Sequence, residues 1–194
     1  MIMRNTMRIA AVVVLGVLGL PMLGLGARAA EENPFKKAKV GEWIEYTMNT
    51  EAMGQKMEMG MKQSVLAKDE TSVTLRTESS MMGQKMPGQD VKILLDKPYE
   101  PYLQDQKLTD AKVTPLGDGN ETITVGGKSY ACRWTKVKVV ATKPQAMEMT
   151  AKTWVCKDVP LSGMVRMESE MNMTVNGQAM ATKTSMELKG AGAK

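Results

Sequence analysis

Cys132 and Cys156 lie at equal distances on either side of Pro144, and so do Trp134 and Trp154. A chain that reverses at Lys143-Pro144 therefore sets Cys132 against Cys156, Trp134 against Trp154, Val137 against Ala151 and Val139 against Met149. Facing residues of like kind at a spacing of two are what an antiparallel strand pair demands. The stretch reads as a β-hairpin at the centre of an antiparallel sheet, closed at its open end by a Cys132–Cys156 disulfide.

The disulfide presumes an oxidising compartment, and the N-terminus supplies the reason to expect one. Arg4 and Arg8 precede an apolar run from Ile9 to Leu20, Pro21 breaks it, and Ala27-Arg28-Ala29 offers small residues for a signal peptidase. The run is short of the roughly 20 residues that cross a bilayer. Residues 1–29 are expected to be a signal peptide, with a retained anchor as the other option, and the product to be periplasmic or extracellular. Arg4, Arg8 and Arg28 leave with it, which lowers the formal charge from +5 to +2. Lysines are interspersed with acids and stacking aromatics are few, so nucleic acid is not an expected partner.

The chain contains no histidine. That removes Ser-His-Asp and Cys-His nucleophile chemistry and the usual zinc sites. No pair of carboxylates, lysines or tyrosines stands at a telling spacing, and a non-enzymatic protein is expected.

Residues 30–41 read as a flexible lead-in, 42–189 as an antiparallel β domain and 190–194 as a disordered tail. Alternation with period two begins at Trp43, and no helical period competes with it. A first hairpin is expected to turn at Gly54-Gln55, pairing Ile44 with Val65, Met48 with Met61, Thr50 with Met59 and Ala52 with Met57. That register sets Glu51 against Glu58, a like-charge pair. The phrase Met53-Gly54-Gln55-Lys56-Met57 returns as Met82-Gly83-Gln84-Lys85-Met86, and more loosely as Asn176-Gly177-Gln178-Ala179-Met180. Residues 96–119 read as irregular, with an edge strand near Ala111–Thr114, and Tyr99 and Tyr102 are candidates for a mouth or lid. Gly126-Gly127 marks another hairpin turn. The last hairpin turns at Asn176-Gly177 and pairs Met167 with Met186, Met173 with Met180, Arg166 with Glu187 and Glu170 with Lys183. Trp134, Lys136 and Lys138 share one face, which implies a bulge between Trp134 and Lys138.

Methionine replaces the missing aromatics. The chain has 20 methionines and 1 phenylalanine, and Met-x-Met runs put thioethers on one strand face. Three readings stay open. Methionine fills an aromatic-poor core; or Met48, Met57, Met59, Met61, Met147, Met149, Met167, Met171, Met173, Met180 and Met186, with Tyr99 and Tyr102, line a pliable concave surface for an apolar, lipid-like ligand; or Met48, Met59 and Met61 supply thioether sulfur to Cu(I). Reversible sulfoxidation also fits the composition.

Val40-Gly41-Glu42-Trp43-Ile44-Glu45-Tyr46 near the start and Asp158-Val159-Pro160 before the last hairpin resemble exported half-barrel sheets of the periplasmic lipoprotein-carrier type and related periplasmic proteins. The likeness is one of strand order over most of the mature chain and transfers no site residue. The expected fold is all-β: a single strongly curved antiparallel meander, half-barrel or open barrel, of about eight to ten strands. The expected function is to bind an apolar ligand or an envelope protein without catalysis, with a Cu(I) protein and a ligand-free structural module as the alternatives.

Overall fold

The computed structural model describes residues 33–96, 110–143, 146–175 and 178–193. The segment expected as a signal peptide, together with Tyr99, Tyr102 and the Asn176-Gly177 turn, lies outside them.

Ten strands form one antiparallel sheet: β1 (Glu42–Ala52), β2 (Gln55–Lys68), β3 (Ser72–Met81), β4 (Gln84–Lys85), β5 (Gln89–Leu94), β6 (Lys112–Val125), β7 (Lys128–Ala141), β8 (Met147–Val155), β9 (Met164–Val175) and β10 (Gln178–Ala193). The order is β4-β3-β2-β1-β10-β9-β8-β7-β6, with β5 also on β3. The expected single meander is thus two meanders joined where β1 pairs with β10. The sheet is not closed, although residues of β6 come near β10, four strands away. β10 continues to Ala193, so Gly190 to Ala193 pair with Glu45 to Glu42 where a tail was expected. The lead-in is also ordered from Asn33: Pro34–Lys37 is a 3-10 turn capped by Asn33, which buries Phe35, and the Asn33 amide donates to Leu94 O at 3.0 Å.

The register of the central hairpin is the expected one, from Trp134 against Trp154 to Val139 against Met149. The last hairpin likewise sets Met186 against Met167 and Glu187 against Arg166. The first hairpin differs. Met53 and Gly54 both have positive φ, so they are the two turn residues, and the register slips by two: Met48 faces Met59, and Tyr46 faces Met61. A two-residue slip keeps every side chain on its face. It also replaces the like-charge pair by Glu51 against Lys56, which the alternation of apolar residues could not detect.

The disulfide is not formed. Cys132 and Cys156 are both free and buried. The β7–β8 ladder stops at Arg133 and Val155, beside a register shift between Trp154 and Val155 on the β9 side. Beyond it the chain folds into a turn: Cys156 N donates to Gly163 O at 2.8 Å, and the Cys156 thiol points at the Asp158 carboxylate, 3.9 Å away. The expected bulge within Trp134–Lys138 is absent as well. It lies in the facing strand, between Pro115 and Gly117, where β6 runs unbroken through what read as loop and two short strands.

One face of the sheet is the core, a single cluster that takes in Phe35, Ile44, Tyr46, Val73, Val139 and Leu188. Across it runs a row of directly opposed methionines, Met81, Met59, Met48, Met186 and Met167, on β3, β2, β1, β10 and β9. Next comes a row of small residues, Thr50, Thr184, Ser169 and Ala151, then Met171 beside Met149, then Met180, Met173 and Met147. Alternating long thioethers with short hydroxyls lets neighbouring rows interdigitate. The Thr50 and Thr184 hydroxyls meet at 3.4 Å. Tyr46 ends in the core with its hydroxyl 3.1 Å from Met164 O, and burial pushes that phenol far above its usual range.

Candidate functional site

The opposite face is charged, and its residues form cross-strand rows as regular as those of the core. One row reads Lys138, Thr150, Glu170, Lys183, Glu51 and Lys56; the next reads Lys136, Lys152, Glu168, Ser185, Asn49 and Glu58. Between them lies a groove of about 680 Å³ that spans β2, β1, β10, β9, β8 and β7 and is walled almost wholly by polar side chains. Most charges there are paired, as in Lys183–Glu170 at 3.3 Å and Lys56–Glu51 at 3.9 Å. Lys136 and Glu168 line the groove with no ion pair among the described residues. They sit on either side of β8, about 10 Å apart by strand spacing.

A polar clamp bounds the groove on its β6 side. Glu121 on β6 accepts from Trp154 Nε1 at 2.9 Å and from Lys152 Nζ at 3.2 Å. The two hydrogen bonds, Trp154 first, hold its carboxyl below the usual glutamate range. Lys152 Nζ lies 4.6 Å from the Trp134 ring and 4.3 Å from the Trp154 ring, so one ammonium rests on two indoles. Arg166 extends the cluster, with its guanidinium 5.9 Å from Trp154 and 2.6 Å from Glu187. Cys132 faces Glu121, and burial, followed by the charges of Cys156 and Glu121, pushes its thiol up to about 11. A thiol held so protonated is a poor nucleophile and a poor metal ligand.

Two of the indoles, Trp134 and Trp43, pack on glycine. On β6, a Cβ at Gly119 would lie 3.0 Å from Trp134 Nε1, and one at Gly117 would lie 3.5 Å from Trp134 Cη2. The same arrangement recurs at Trp43, where Gly192 would meet Nε1 at 3.2 Å and Gly190 would meet Cη2 at 3.3 Å. Lys62 covers Trp43 at 4.7 Å, as Lys152 covers Trp134. Both glycine strands carry a bulge one step further on, after Leu188 in β10 and after Pro115 in β6.

The methionines expected to line a ligand surface share the core face, and they divide in two. Met48, Met59, Met61, Met149, Met167, Met171, Met180 and Met186 are buried; Met57, Met147 and Met173 are half-buried at one end of the strands. Of the three residues considered for Cu(I), Met48 and Met59 are directly opposed and Met61 lies one step along, all inside the packed core. No group of three or more His, Cys, Asp or Glu side chains able to hold a metal occurs among the described residues. The groove was missed in the sequence because its residues read as an ordinary solvated face. The signal available was charge alternation across six strands, which requires every register to be known first.

No family model and no curated protein matches the chain. Solved structures of similar arrangement include an exported protein with YmcC-like fold from Bacteroides fragilis, 10% identical over 80% of this chain and 97% of that one, TM-score 0.45. The S-type phycobiliprotein lyase CPES from Guillardia theta is 10% identical over 84% and 94%, TM-score 0.33. A DUF1329 family protein from Desulfovibrio piger is 11% identical over 79% and 85%, TM-score 0.25. Identity this low places no functional residue. No helix among the described residues is long and apolar enough to cross a membrane.

Proposed function

We propose that this is an exported, non-enzymatic binding protein whose partner is a polar, charge-bearing segment of an envelope component, held in the groove on the charged face. The observation that supports it is the couple Lys136 and Glu168, without an ion pair among the described residues, within a groove of about 680 Å³. A partner with an anion for Lys136 and a cation for Glu168, and with a hydrogen-bonding group for Thr150 in the neighbouring row, would satisfy both without breaking the existing pairs. Export rests on the N-terminal charged, apolar and small-residue segments. A photo-cross-linker at Thr150, in the native envelope, is expected to give an adduct that a control at Lys92 on β5 does not, and that Lys136→Glu or Glu168→Lys each abolishes. Equal adducts at both positions, or adducts indifferent to the charge reversals, would sink the proposal.

The apolar-ligand reading keeps one supporting observation. Met57, Met147 and Met173 are half-buried at one end of the core, next to the buried rows. A lipid entering there would be retained through desalting in a native mass spectrum. Bare protein after incubation with phospholipid would remove that reading and leave the groove untouched.

A further inference from the structure

Met53 and Met82 stand apart from every other methionine described. Each opens a two-residue turn in the repeated phrase Met-Gly-Gln-Lys-Met, with φ of 53° and 50°, and the glycine that follows is also left-handed. Such turns favour Asn, Asp or Gly at the first position. A long L side chain in that conformation is strained, because its Cβ crowds the following carbonyl oxygen. Leu161 is the other non-glycine residue with positive φ among those described, and its side chain is anchored in the core, which offsets the strain. Met53 and Met82 have no such anchor, being 74% and 83% exposed. Twice, then, the chain accepts backbone strain to hold a thioether in water where Asn would serve the turn better.

What a thioether offers in water that Asn does not is a sulfur lone pair open to two-electron oxidants. We infer that Met53 and Met82 are the oxidant-reactive sites of the protein, intercepting peroxide-class oxidants before the half-buried and buried thioethers are reached. With hydrogen peroxide, the sulfur lone pair attacks one peroxide oxygen, the S–O bond forms as the O–O bond breaks, and the proton of the transferred hydroxyl passes to the departing hydroxide, leaving sulfoxide and water. The sulfur loses two electrons and the peroxide gains them. At a turn the polar sulfoxide is solvated and disturbs nothing. In the row Met59–Met48–Met186–Met167 it would place an S=O dipole among packed apolar side chains.

The test treats the full chain with two molar equivalents of hydrogen peroxide and maps sulfoxide by peptide mass spectrometry over residues 33–193. Met53 and Met82 are expected to carry several-fold more sulfoxide than any other methionine there, followed by Met81. An even spread, or an excess at Met57, Met147 or Met173, would overturn the inference. The variant M53N/M82N is expected to unfold at the same temperature as the parent or higher, yet to shift sulfoxide to the half-buried methionines and lose its folded signal at a lower oxidant dose. M53L/M82L keeps the apolar, strained side chain without sulfur and should lose protection equally. If the leucine variant resists oxidant as well as the parent does, sulfur is not the reason for these positions.

Discussion

The two tryptophan corners share one construction and differ in one respect. At Trp43 and at Trp134 the indole lies on a Gly-x-Gly of the strand on one side and under a lysine of the strand on the other. In both, one glycine is directly opposite the tryptophan and the other two steps along, and the lysine faces the residue two places after it. Ser64 faces Trp43, whereas Trp154 faces Trp134, and only the second corner has the Glu121 clamp. The difference follows position in the sheet. β10 is paired on both sides as far as Glu187, and its Gly190–Gly192 segment continues on β1 alone; β6, which supplies the glycines under Trp134, has one ladder throughout. The Trp43 corner follows directly on a stretch of β10 held from both sides, and Lys189 at its bulge ties it to Glu45 on β1 at 2.8 Å. The edge strand gains a side-chain tie that crosses β7 to reach β8, and its bulge and glycines also make it a poor template for strand addition.

Removing the indoles should separate the corners most widely. Trp43 helps to pack β1 on β10, the seam between the two meanders, so Trp43→Ala is expected to destabilise by about 3 kcal/mol. Trp134→Ala should cost about 2 kcal/mol, because β6 can settle toward the vacated space. Urea denaturation of both variants measures this. Equal losses would mean that sheet position does not govern the corners.

A smaller effect is expected from the glycines. The added methyl of Gly119→Ala would stand 3.0 Å from the Trp134 indole nitrogen, and that of Gly192→Ala 3.2 Å from the corresponding atom of Trp43. Both are tighter than ordinary contact, and a cost of about 1 kcal/mol is expected at Gly192, where the β1 ladder and the twice-paired stretch of β10 before it resist a shift. At Gly119 the closer approach and the freer strand oppose each other. A cost below that of Gly192→Ala would show that the edge yields; a larger one would show that the clamp keeps it from yielding.

How much of this was legible in the sequence depends on what each residue pattern encodes. Period-two alternation assigned nearly every side chain to its face, because a face is a local property of a strand. Registers came through where two independent patterns agreed: Trp134 with Trp154 plus the flanking valines, or Met167 with Met186 plus the charge pair Arg166–Glu187. The first hairpin had apolar residues at every second position on both strands, and such a pattern is unchanged by a slip of two. The like-charge contact of Glu51 with Glu58 was the sign that the turn had been placed one residue late. The cysteines misled because equal distance from Pro144 fixes a register and not the end of a ladder; one strand finished a residue too soon for them to bond. The pairing of β1 with β10 joins opposite ends of the chain, which no hairpin rule reaches. The groove and both corners depend on that seam or on complete registers, and so stayed out of sight.

The finest distinction between the corners is electrostatic, and pH can isolate it. Glu121 has its carboxyl held below the usual range by the hydrogen bonds from Trp154 and Lys152, whereas at the Trp43 corner Glu45 takes an ion pair from Lys189. A carboxyl whose folded pKa is depressed contributes stability that is fully present above its unfolded value, about 4.3 for glutamate, and is lost as pH falls through the folded value. Glu121→Gln keeps the shape and can still accept from the indole, but carries no charge for Lys152. The wild-type protein should therefore have the higher urea midpoint at pH 7. The gap should narrow as pH drops below the ordinary glutamate range and vanish once Glu121 is protonated in the folded state. The exposed setting keeps the gap small, since solvent screens the Lys152 pair. A gap that stays constant from pH 7 to pH 3 would mean that the carboxylate acts by shape alone, and the charge of the clamp would then play no part in holding the edge strand.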